Sequence, residues 1–433
     1  MSHDRVAIGI DIGTSGVRAV AVDRSGAQIE QTSAPLKPTS SPLSDDPRGV
    51  NAEDWWRVTK RVLVALLERL EAVGISRRAV GAIAVDGTSG SVVLIGADLK
   101  PVTPGLLYNA KGFVREGTAI DAVAPPRSIA RGGGSALARL LHLQSLAPEA
   151  AHLCHQADFI VARLTGQPGR TDESNALKTG YDPVARCWPD WVMAAGVRSS
   201  LLPRVHPVGA VLGNVDAGVA GQFGLSPNTK LVAGASDGTA GFLAAGTLEP
   251  GTAVTTLGTT LTLKVLADRP VEDANRGIYS HRIGDAWLPG GASNTGGGAL
   301  LRHFTAEQIE ALSGQIDPTW KPAFEAYPLP SRGERFPTND ADLASVDGPR
   351  PSNDARFLHA LLHGIALIER DGYRALAELG APYPKRVLTT GGGARNAAWS
   401  VMRERLLGVP VTATEGDPAL GMARLALRAV VGG

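Results

Sequence analysis

Two stretches of the chain share one pattern: a short apolar run, a turn of small residues and a second apolar run. In the first, isoleucines alternate over residues 8–12, the turn Gly13-Thr14-Ser15-Gly16 follows, and residues 17–20 begin a second apolar run. Residues 253–266 repeat this order, with Gly258-Thr259-Thr260 at the turn. Each stretch predicts two strands joined by a tight turn. A Gly-Thr hairpin near the start of each half indicates a duplicated architecture.

Other predicted strands end at polar or glycine-rich residues. Residues 80–85 predict a strand buried on both faces that leads into Asp86-Gly87-Thr88-Ser89-Gly90, which is equally consistent with a plain turn. A short strand over residues 230–236 precedes Asp237, which we expect to cap a helix. Residues 386–390 predict a strand that exits through Gly391-Gly392-Gly393. Because ligands of open α/β sheets bind beyond the carboxyl ends of strands, these strand ends are candidates for a site.

Strands and helices are mixed along the chain. We expect Asn51 to cap an early helix, Ser352 or Asn353 to cap a long one, and residues 118–205 to be largely helical. This pattern predicts an α/β protein of two domains, residues 1–232 and 233–433.

Two further segments lack a clear pattern of strands or helices. The glycine-rich residues 290–298 are expected either to let a nucleotide approach the backbone or to form a flexible connection. Residues 328–355, rich in proline, aspartate and serine, are expected to form a loop on the protein surface, called here a surface excursion.

Composition excludes several classes of protein. The 433 residues are 43% hydrophobic and 20% charged, with a formal net charge of +1, so neither a nucleic acid nor a membrane is expected as partner. Cys154 and Cys187 are too few for a disulfide framework. No signal peptide or membrane-spanning run is evident, which predicts a cytoplasmic protein.

The chain contains residues suited to phosphoryl transfer but lacks the familiar nucleotide-binding motifs. Neither a Walker A sequence nor a Rossmann fingerprint is present. The two Gly-Thr turns offer backbone N–H groups for phosphates. Histidines and cysteines lack metal-ligand spacing, so any metal would be a hard ion such as Mg²⁺. Asp11 is the candidate carboxylate beside that ion, and Asp237 or Asp86 is the candidate base.

A set of motifs in order resembles the FGGY carbohydrate kinases over essentially the whole chain. These motifs are Asp11-Ile-Gly-Thr-Ser, Leu164-Thr-Gly with Ser174-Asn-Ala, Ser236-Asp237-Gly, Leu257-Gly-Thr-Thr and Gly391-Gly-Gly-Ala-Arg-Asn. The resemblance implies two actin-like, ribonuclease H-like α/β domains with a cleft between them, as in the actin, Hsp70 and hexokinase superfamily. Residues 1–232 would hold the sugar and the first phosphate hairpin, and residues 233–433 the second hairpin and the adenosine.

The resemblance also implies ATP and Mg²⁺ as cofactors and gives each motif a role. Asp237 would be the general base, and Asp11 would position Mg²⁺ and the substrate, with Asp237 also close to the metal. The implied substrate-binding residues are Asp11, Asp86, Ser89 and Asp237. The implied nucleotide-binding residues are Gly13, Thr14, Ser15, Gly258, Thr259, Thr260, Gly391, Gly392, Gly393 and Asn396.

Within the family, some motifs differ from typical xylulokinases and glycerol kinases. Those enzymes carry a Gln-centred motif where Asp86-Gly-Thr-Ser stands, and usually Trp-x-Asp-x-Arg where Leu107-Tyr108-Asn109-Ala110-Lys111 stands. Asp86-Gly-Thr-Ser, Gly333-Glu-Arg-Phe-Pro and Tyr279-Ser-His-Arg resemble shorter sugar kinases related to D-ribulose kinase.

We therefore expect a kinase that acts on a small-molecule ketopentose, D-ribulose first, with xylulose or a polyol as the alternative. A homodimer is left open. The alternative from another class is an actin-like or Hsp70-like ATP-binding switch protein.

Overall fold

The computed structural model describes residues 5–246, 249–414 and 416–431, which form two compact units. The first unit contains residues 5–246, 282–284 and 417–431, and the second contains the other described residues. The division falls after Gly246, later than the boundary expected at residue 232, because the strand over residues 230–236 pairs within the sheet of the first unit. The C-terminal helix also belongs to the first unit, although the sequence assigned it to the second.

The strands are numbered in chain order. They are β1 Val6–Ile12, β2 Gly16–Val22, β3 Gln28–Pro35, β4 Gly49–Val50, β5 Val80–Gly87, β6 Val92–Ile95, β7 Gly105–Leu106, β8 His152–His155, β9 Arg170–Asp172, β10 Arg204–His206, β11 Val211–Asn214, β12 Lys230–Ser236, β13 Thr252–Leu257, β14 Leu261–Val265, β15 Tyr279–Ile283, β16 Ala286–Ser293, β17 Arg386–Thr390 and β18 Val411–Ala413.

The α-helices lie between these strands and at the C-terminal end. They are α1 Glu53–Ala72, α2 Val114–Val123, α3 Ala136–Leu146, α4 Gln156–Thr165, α5 Glu173–Ala176, α6 Asp190–Ala194, α7 Ala217–Phe223, α8 Asp237–Ala244, α9 Gly297–Leu300, α10 Ala306–Ser313, α11 Asp354–Glu378, α12 Ala397–Leu407 and α13 Pro418–Val431.

The first unit is built on a six-stranded sheet of order β11-β12-β5-β1-β2-β3. Strand β1 pairs antiparallel with β2 and parallel with β5, so the first predicted hairpin is confirmed. Both faces of β1 are covered. Ile8 and Ile10 belong to the core that contains Trp55 of α1, and Gly9 lies against α13. This two-sided burial explains why the strand is apolar at nearly every position.

The second unit repeats this topology. Its sheet has the order β15-β16-β14-β13-β17-β18, and β13 pairs antiparallel with β14 and parallel with β17. In both units a hairpin with a Gly-Thr turn supplies the central strand, and a parallel strand adds to its other side. The predicted duplication is therefore confirmed at the level of topology.

Two helix starts differ from the sequence expectation by one residue. The N-cap of α8 is Ser236, and Asp237 is the first helical residue, so the prediction that Asp237 caps this helix is wrong. Likewise, Ala52 instead of Asn51 is the N-cap of α1. In α11 the prediction is confirmed, because the Asn353 side chain accepts a hydrogen bond from the backbone N–H of Arg356 at 3.0 Å.

The glycine run that begins at Gly290 was expected to meet a nucleotide or to be flexible. Its first part is instead inside β16, where a Cβ on Gly291 would lie 2.1 Å from the Cδ2 atom of Phe336. Phe336 is fully buried and belongs to the core of the second unit. The expectation that residues 328–355 form only a surface excursion is therefore wrong at Phe336, because its ring fills the space left by the glycine.

Two predictions from composition can be compared with the structure. Cys154 and Cys187 are both free. Among the described residues, no helix has the length and apolarity needed to cross a membrane.

We predict that Gly9→Ala destabilises the first unit. A Cβ at this position would lie 2.0 Å from the carbonyl oxygen of Ala419 and 2.2 Å from the backbone nitrogen of Ala423, so β1 and α13 would have to separate. We expect a loss of about 3 kcal/mol in the free energy of unfolding, measured by urea denaturation.

The matched control is Gly221→Ala at an exposed position of α7, where a Cβ would have no neighbour within 4 Å. The free energy of unfolding of this variant should rise by about 0.5–1 kcal/mol, because alanine forms helices better than glycine does. Equal unfolding midpoints for the two variants would contradict the packing argument.

Candidate active site

Three carboxylates meet because three neighbouring strands run parallel. Asp11 of β1 is paired with Asp86 of β5, and Ser236 at the end of β12 is paired with Gly87. Asp237 follows Ser236 directly. The carboxyl ends of these strands therefore lie at one edge of the sheet, where α/β proteins bind ligands. The structure brings Asp11, Asp86 and Asp237 together within the first unit.

Burial shapes the charge state of this cluster. It raises the pKa of Asp11 from 3.8 to about 6, and the negative charges of Asp237 and Asp417 act in the same direction. Burial also raises the pKa of Asp86 well above 3.8, and the charge of Asp11 adds to this effect. Apart from the Asp11 carboxyl, neither carboxyl oxygen of Asp86 has a hydrogen-bond partner among the described residues. A buried carboxyl in this state is ready to receive donors from a ligand.

Hydroxyl groups fix the start of the helix that carries Asp237. The Ser174 hydroxyl lies 2.9 Å from the Ser236 hydroxyl and donates to Thr239 at 3.1 Å. The backbone N–H of Ser236 donates to the Ser174 hydroxyl. The Ser174-Asn-Ala motif, which spacing alone could not explain, thereby holds the backbone next to Asp237 in place.

The turn that follows Asp86 is held by a side chain that sequence reasoning missed. The Gln156 Oε1 atom accepts hydrogen bonds from the backbone N–H of Thr88 at 2.9 Å and from its hydroxyl at 2.7 Å. Ser89, a predicted substrate residue, lies next in this turn, and its hydroxyl is buried without a partner among the described residues. Gln156 is the first residue of α4 and lies far from Thr88 in sequence, so no local signal indicated it.

The first Gly-Thr turn presents its small residues outward. The backbone N–H of Gly13 donates to the Gly16 carbonyl at 2.9 Å, which closes the turn. Thr14 and Ser15 are exposed at its tip. Beside it, Arg18 is paired with Asp11 across the hairpin and forms an ion pair with Asp417 at 2.9 Å. This turn is therefore open to a ligand at the strand edge that holds the carboxylates.

The second unit contains a cavity of about 660 Å³, within the size range of nucleotide and drug sites. The predicted residues that line it are Gly258, Thr259, Gly392, Gly393 and Asn396. The second Gly-Thr turn meets the later part of the glycine run, because the N–H groups of Gly297 and Gly298 donate to the carbonyls of Gly258 and Thr259. Thr260 and Gly391 are the sequence neighbours of lining residues but do not themselves line the cavity.

Two residues shape the glycine-rich wall of this cavity. Gly391 has φ +84°, and a Cβ there would lie 2.5 Å from the Leu257 carbonyl oxygen, so only glycine fits without strain. Asn396 caps α12 by accepting from the N–H of Trp399, and its amide donates to the Ser313 hydroxyl at 2.8 Å. The Asn396 side chain is thus already engaged with protein groups on both sides.

A buried ion pair lies behind the same wall. Arg403 of α12 donates to Glu369 of α11 at 2.6 Å and 2.7 Å and to the Thr389 hydroxyl of β17 at 2.8 Å. Glu369 in turn accepts from the Thr255 hydroxyl of β13. This network joins two helices to the two strands whose ends carry the glycine turns.

Comparison with known proteins agrees with this arrangement. Residues 6–122 and 140–244 match the N-terminal domain of the FGGY family of carbohydrate kinases, and residues 253–430 match its C-terminal domain. The chain is 27% identical to the xylulose kinase of Escherichia coli, over 97% of this chain and 89% of that one. It is 28% identical to the xylulose kinase of Streptomyces coelicolor, over 98% and 88% of the two chains.

Solved structures show the same fold. A xylulose kinase structure from Rhodospirillum rubrum superposes with a TM-score of 0.84 at 24% identity, covering 99% of this chain and 90% of that one. A structure described as a xyloylose kinase from Brucella ovis gives a TM-score of 0.86 at 23% identity, covering 99% and 91%. These matches confirm the two-domain, actin-like α/β fold.

The two family matches together cover most of the chain, and they remove the switch-protein alternative. The chain belongs to the FGGY family of carbohydrate kinases and is an ATP-dependent sugar kinase.

Proposed function

We propose that this sugar kinase transfers the γ-phosphoryl group of ATP to a ketopentose, with xylulose as the first candidate. The observation that carries the proposal is the buried carboxylate edge of the first unit, where Asp86 has no hydrogen-bond partner among the described residues other than Asp11. A polyhydroxylated acceptor would supply donors to these oxygens. The choice of xylulose is supported by relatives named xylulose kinase that match nearly the whole chain.

D-Ribulose is the second candidate. It is supported by Asp86 itself, because typical xylulokinases have a Gln-centred motif at this turn and therefore a different set of donors and acceptors. Full burial of the Asp86 side chain makes this difference important, since a mismatched hydroxyl would leave a buried polar group unpaired. Both ketopentoses belong in the same assay.

In the proposed reaction, Asp237 accepts the proton of the attacking hydroxyl while the acceptor oxygen forms a bond to the γ-phosphorus. The bond from that phosphorus to the bridging oxygen breaks, and ADP leaves. Asp237 is suited to this role because it stands at the first turn of α8, where the helix dipole favours a negative charge. Asp11, Asp86 and Ser89 would orient the acceptor.

The nucleotide would be held by the glycine-rich turns. Backbone N–H groups of Thr14 and Ser15, and those of Thr259 and Thr260, would bind phosphates. Gly13 and Gly258 would shape the two turns, because their N–H groups close them by donating to the carbonyls of Gly16 and Thr260. The cavity lined by Gly392, Gly393 and Asn396 would hold the adenosine, with Gly391 setting the path of the chain. The 660 Å³ volume supports this assignment.

Magnesium is proposed as the cofactor that neutralises charge on the transferring phosphates. Among the described residues no group of three or more His, Cys, Asp or Glu side chains is arranged to hold a metal. The residues still fit Mg²⁺, because this ion usually takes one or two carboxylates and completes its shell with phosphates and water. Asp11 would be the main protein ligand, with Asp237 close to it.

The first prediction from the proposed reaction tests the reaction and the base together. ADP release with Mg²⁺-ATP should be stimulated by xylulose or D-ribulose and not by aldoses. Asp237→Ala should lower kcat about 10²- to 10⁴-fold and still bind ATP, because the nucleotide cavity belongs to the second unit.

The matched control is Asp98→Ala, which removes an exposed carboxylate from the same unit and should keep wild-type kcat. Near-normal turnover in Asp237→Ala would rule out this base. Stimulation only by another sugar would keep the kinase and reject the ketopentose.

The second prediction concerns the cavity. A Cβ on Gly392 would meet no atom within 4 Å, so Gly392→Leu adds bulk to the cavity without a clash against its own wall. We expect the KM for ATP to rise about tenfold or more, with little change in the KM for the sugar or in melting temperature. Gly221→Leu, on an exposed helix of the first unit, is the control for added bulk. An unchanged ATP KM in Gly392→Leu would place the adenosine elsewhere.

The third prediction follows from the pKa of Asp11. Because this pKa is near 6 in the folded protein and 3.8 otherwise, the folded state holds the extra proton between these values, and stability should fall as the pH rises from about 4 to 6. Above pH 6 Asp11 is ionised in the folded state, and the full cost of this ionisation lowers the free energy of unfolding by about 3 kcal/mol at 1.36 kcal/mol per pKa unit. In EDTA, Asp11→Asn should therefore be more stable than wild type at pH 7.5 and equal to it near pH 4. A parallel pH profile for both proteins in urea denaturation would refute this.

A further inference from the structure

Four buried polar atoms with few or no partners are concentrated at one turn of the first unit. Among the described residues, Oγ of Ser89 and Nε2 of Gln156 have no hydrogen-bond partner, and Oδ1 and Oδ2 of Asp86 have none apart from the Asp11 carboxyl. Gln156 packs directly against this turn, because a Cβ atom added to Gly87 would lie 3.3 Å from the Cβ atom of Gln156 and 3.3 Å from the Oε1 atom of Gln156. Buried polar atoms are nearly always satisfied in folded proteins, so such a group indicates a place where a ligand completes the bonding.

The orientation of the Gln156 amide is fixed by the backbone. The Thr88 N–H can only donate, so the atom that accepts from it must be the amide oxygen. The Thr88 hydroxyl bonds the same oxygen and also contacts the Ser91 hydroxyl at 2.6 Å. The backbone N–H of Gln156 donates to the Ser91 carbonyl. Nε2 therefore faces away from Thr88 as a pure donor and cannot exchange places with Oε1.

Asp86 and Ser89 differ from Gln156 in what they offer a sugar. The Asp86 carboxyl accepts and, in its protonated form, also donates, and the Ser89 hydroxyl both donates and accepts. Gln156 Nε2 is the pure donor among the four atoms. A ketopentose in its open-chain form has one oxygen that can only accept, the carbonyl, whereas a pentitol has hydroxyls throughout.

We propose that Gln156 determines acceptor specificity by donating a hydrogen bond from Nε2 to the carbonyl oxygen of the ketose. This inference rests on the proposed ketopentose acceptor and adds the residue that distinguishes it from a polyol. An amide locked at one end costs little entropy when it binds, because its rotamer is already set by Thr88.

The test replaces the donor and keeps the bonds to Thr88. In Gln156→Glu, one carboxylate oxygen can still accept both bonds from Thr88, while the other replaces Nε2 with an acceptor that repels a carbonyl. We expect kcat/KM for xylulose and D-ribulose to fall about tenfold or more, and the KM for ATP to stay at the wild-type value. For xylitol and ribitol, used as substrates or as competitive inhibitors, the change should be much smaller. The ketose-to-pentitol preference should therefore fall.

The matched control is Gln144→Glu, also in the first unit. Both ends of that amide are satisfied, because Oε1 accepts from the N–H of Arg198 and Nε2 donates to the Gly196 carbonyl, each at 2.8 Å. This control should lower melting temperature and leave the ketose-to-pentitol preference unchanged. Gln156→Asn, which keeps an amide but shortens it, serves as the second variant if the glutamate variant does not fold.

The outcomes separate this inference from the proposed function. A wild-type enzyme that is active on ketopentoses, with the same ketose-to-pentitol preference in Gln156→Glu, overturns this inference alone. Equal rises in the KM for sugar and for ATP also overturn it, because they indicate a general structural role. A wild type that prefers pentitols, or that phosphorylates no ketopentose, overturns the proposed function and this inference together.

Discussion

The parallel register of β1, β5 and β12 is the constraint on which the candidate site depends. It fixes Asp11 opposite Asp86 and places Asp237 one residue beyond the neighbouring strand end. Burial opposes ionisation of these carboxyl groups, and the negative charges of their neighbours oppose it further, which is why the pKa of Asp11 and that of Asp86 are raised. The fold tolerates this cost because apolar packing on both faces of the sheet holds the strands, including the close contact of Gly9 with α13.

The second unit uses the same topology for different chemistry. Where the first sheet ends in carboxylates, β13 and β17 end in hydroxyls, and Thr390 donates to Thr256 at 3.0 Å across the pair. Glycine turns follow both strands instead of acidic residues. Small residues and free N–H groups suit phosphates and a flat base, whereas carboxylates suit a cation and hydroxyl groups. One architecture, used twice, therefore carries carboxylates at the strand ends of one copy and hydroxyls with glycine turns at those of the other.

Much of this organisation could be predicted from local sequence. Alternating apolar residues indicated both hairpins, and strand ends indicated Asp11, Asp86 and Asp237, because strand periodicity and turn chemistry are short-range signals. Long-range packing could not be predicted in the same way. Gly291 pairs with β14 inside a strand, and glycine is required there because Phe336, distant in sequence, occupies the space of a side chain. Gln156 was missed for the same reason, since its role arises from a contact with a turn that lies far earlier in the chain.

A glycine-lined cavity needs support from outside its own wall. Glycines contribute no side chains to hold one another and lose the most backbone entropy on folding, so the wall is only as rigid as the elements behind it. In this protein the fully buried Arg403 and Glu369 connect α12 and α11 to the strands before the turns. Removing one partner of such a pair leaves an uncompensated charge, whereas the intact pair with its hydroxyl partners is satisfied. The pair therefore anchors the two strands that lead into the glycine turns to the helices behind them.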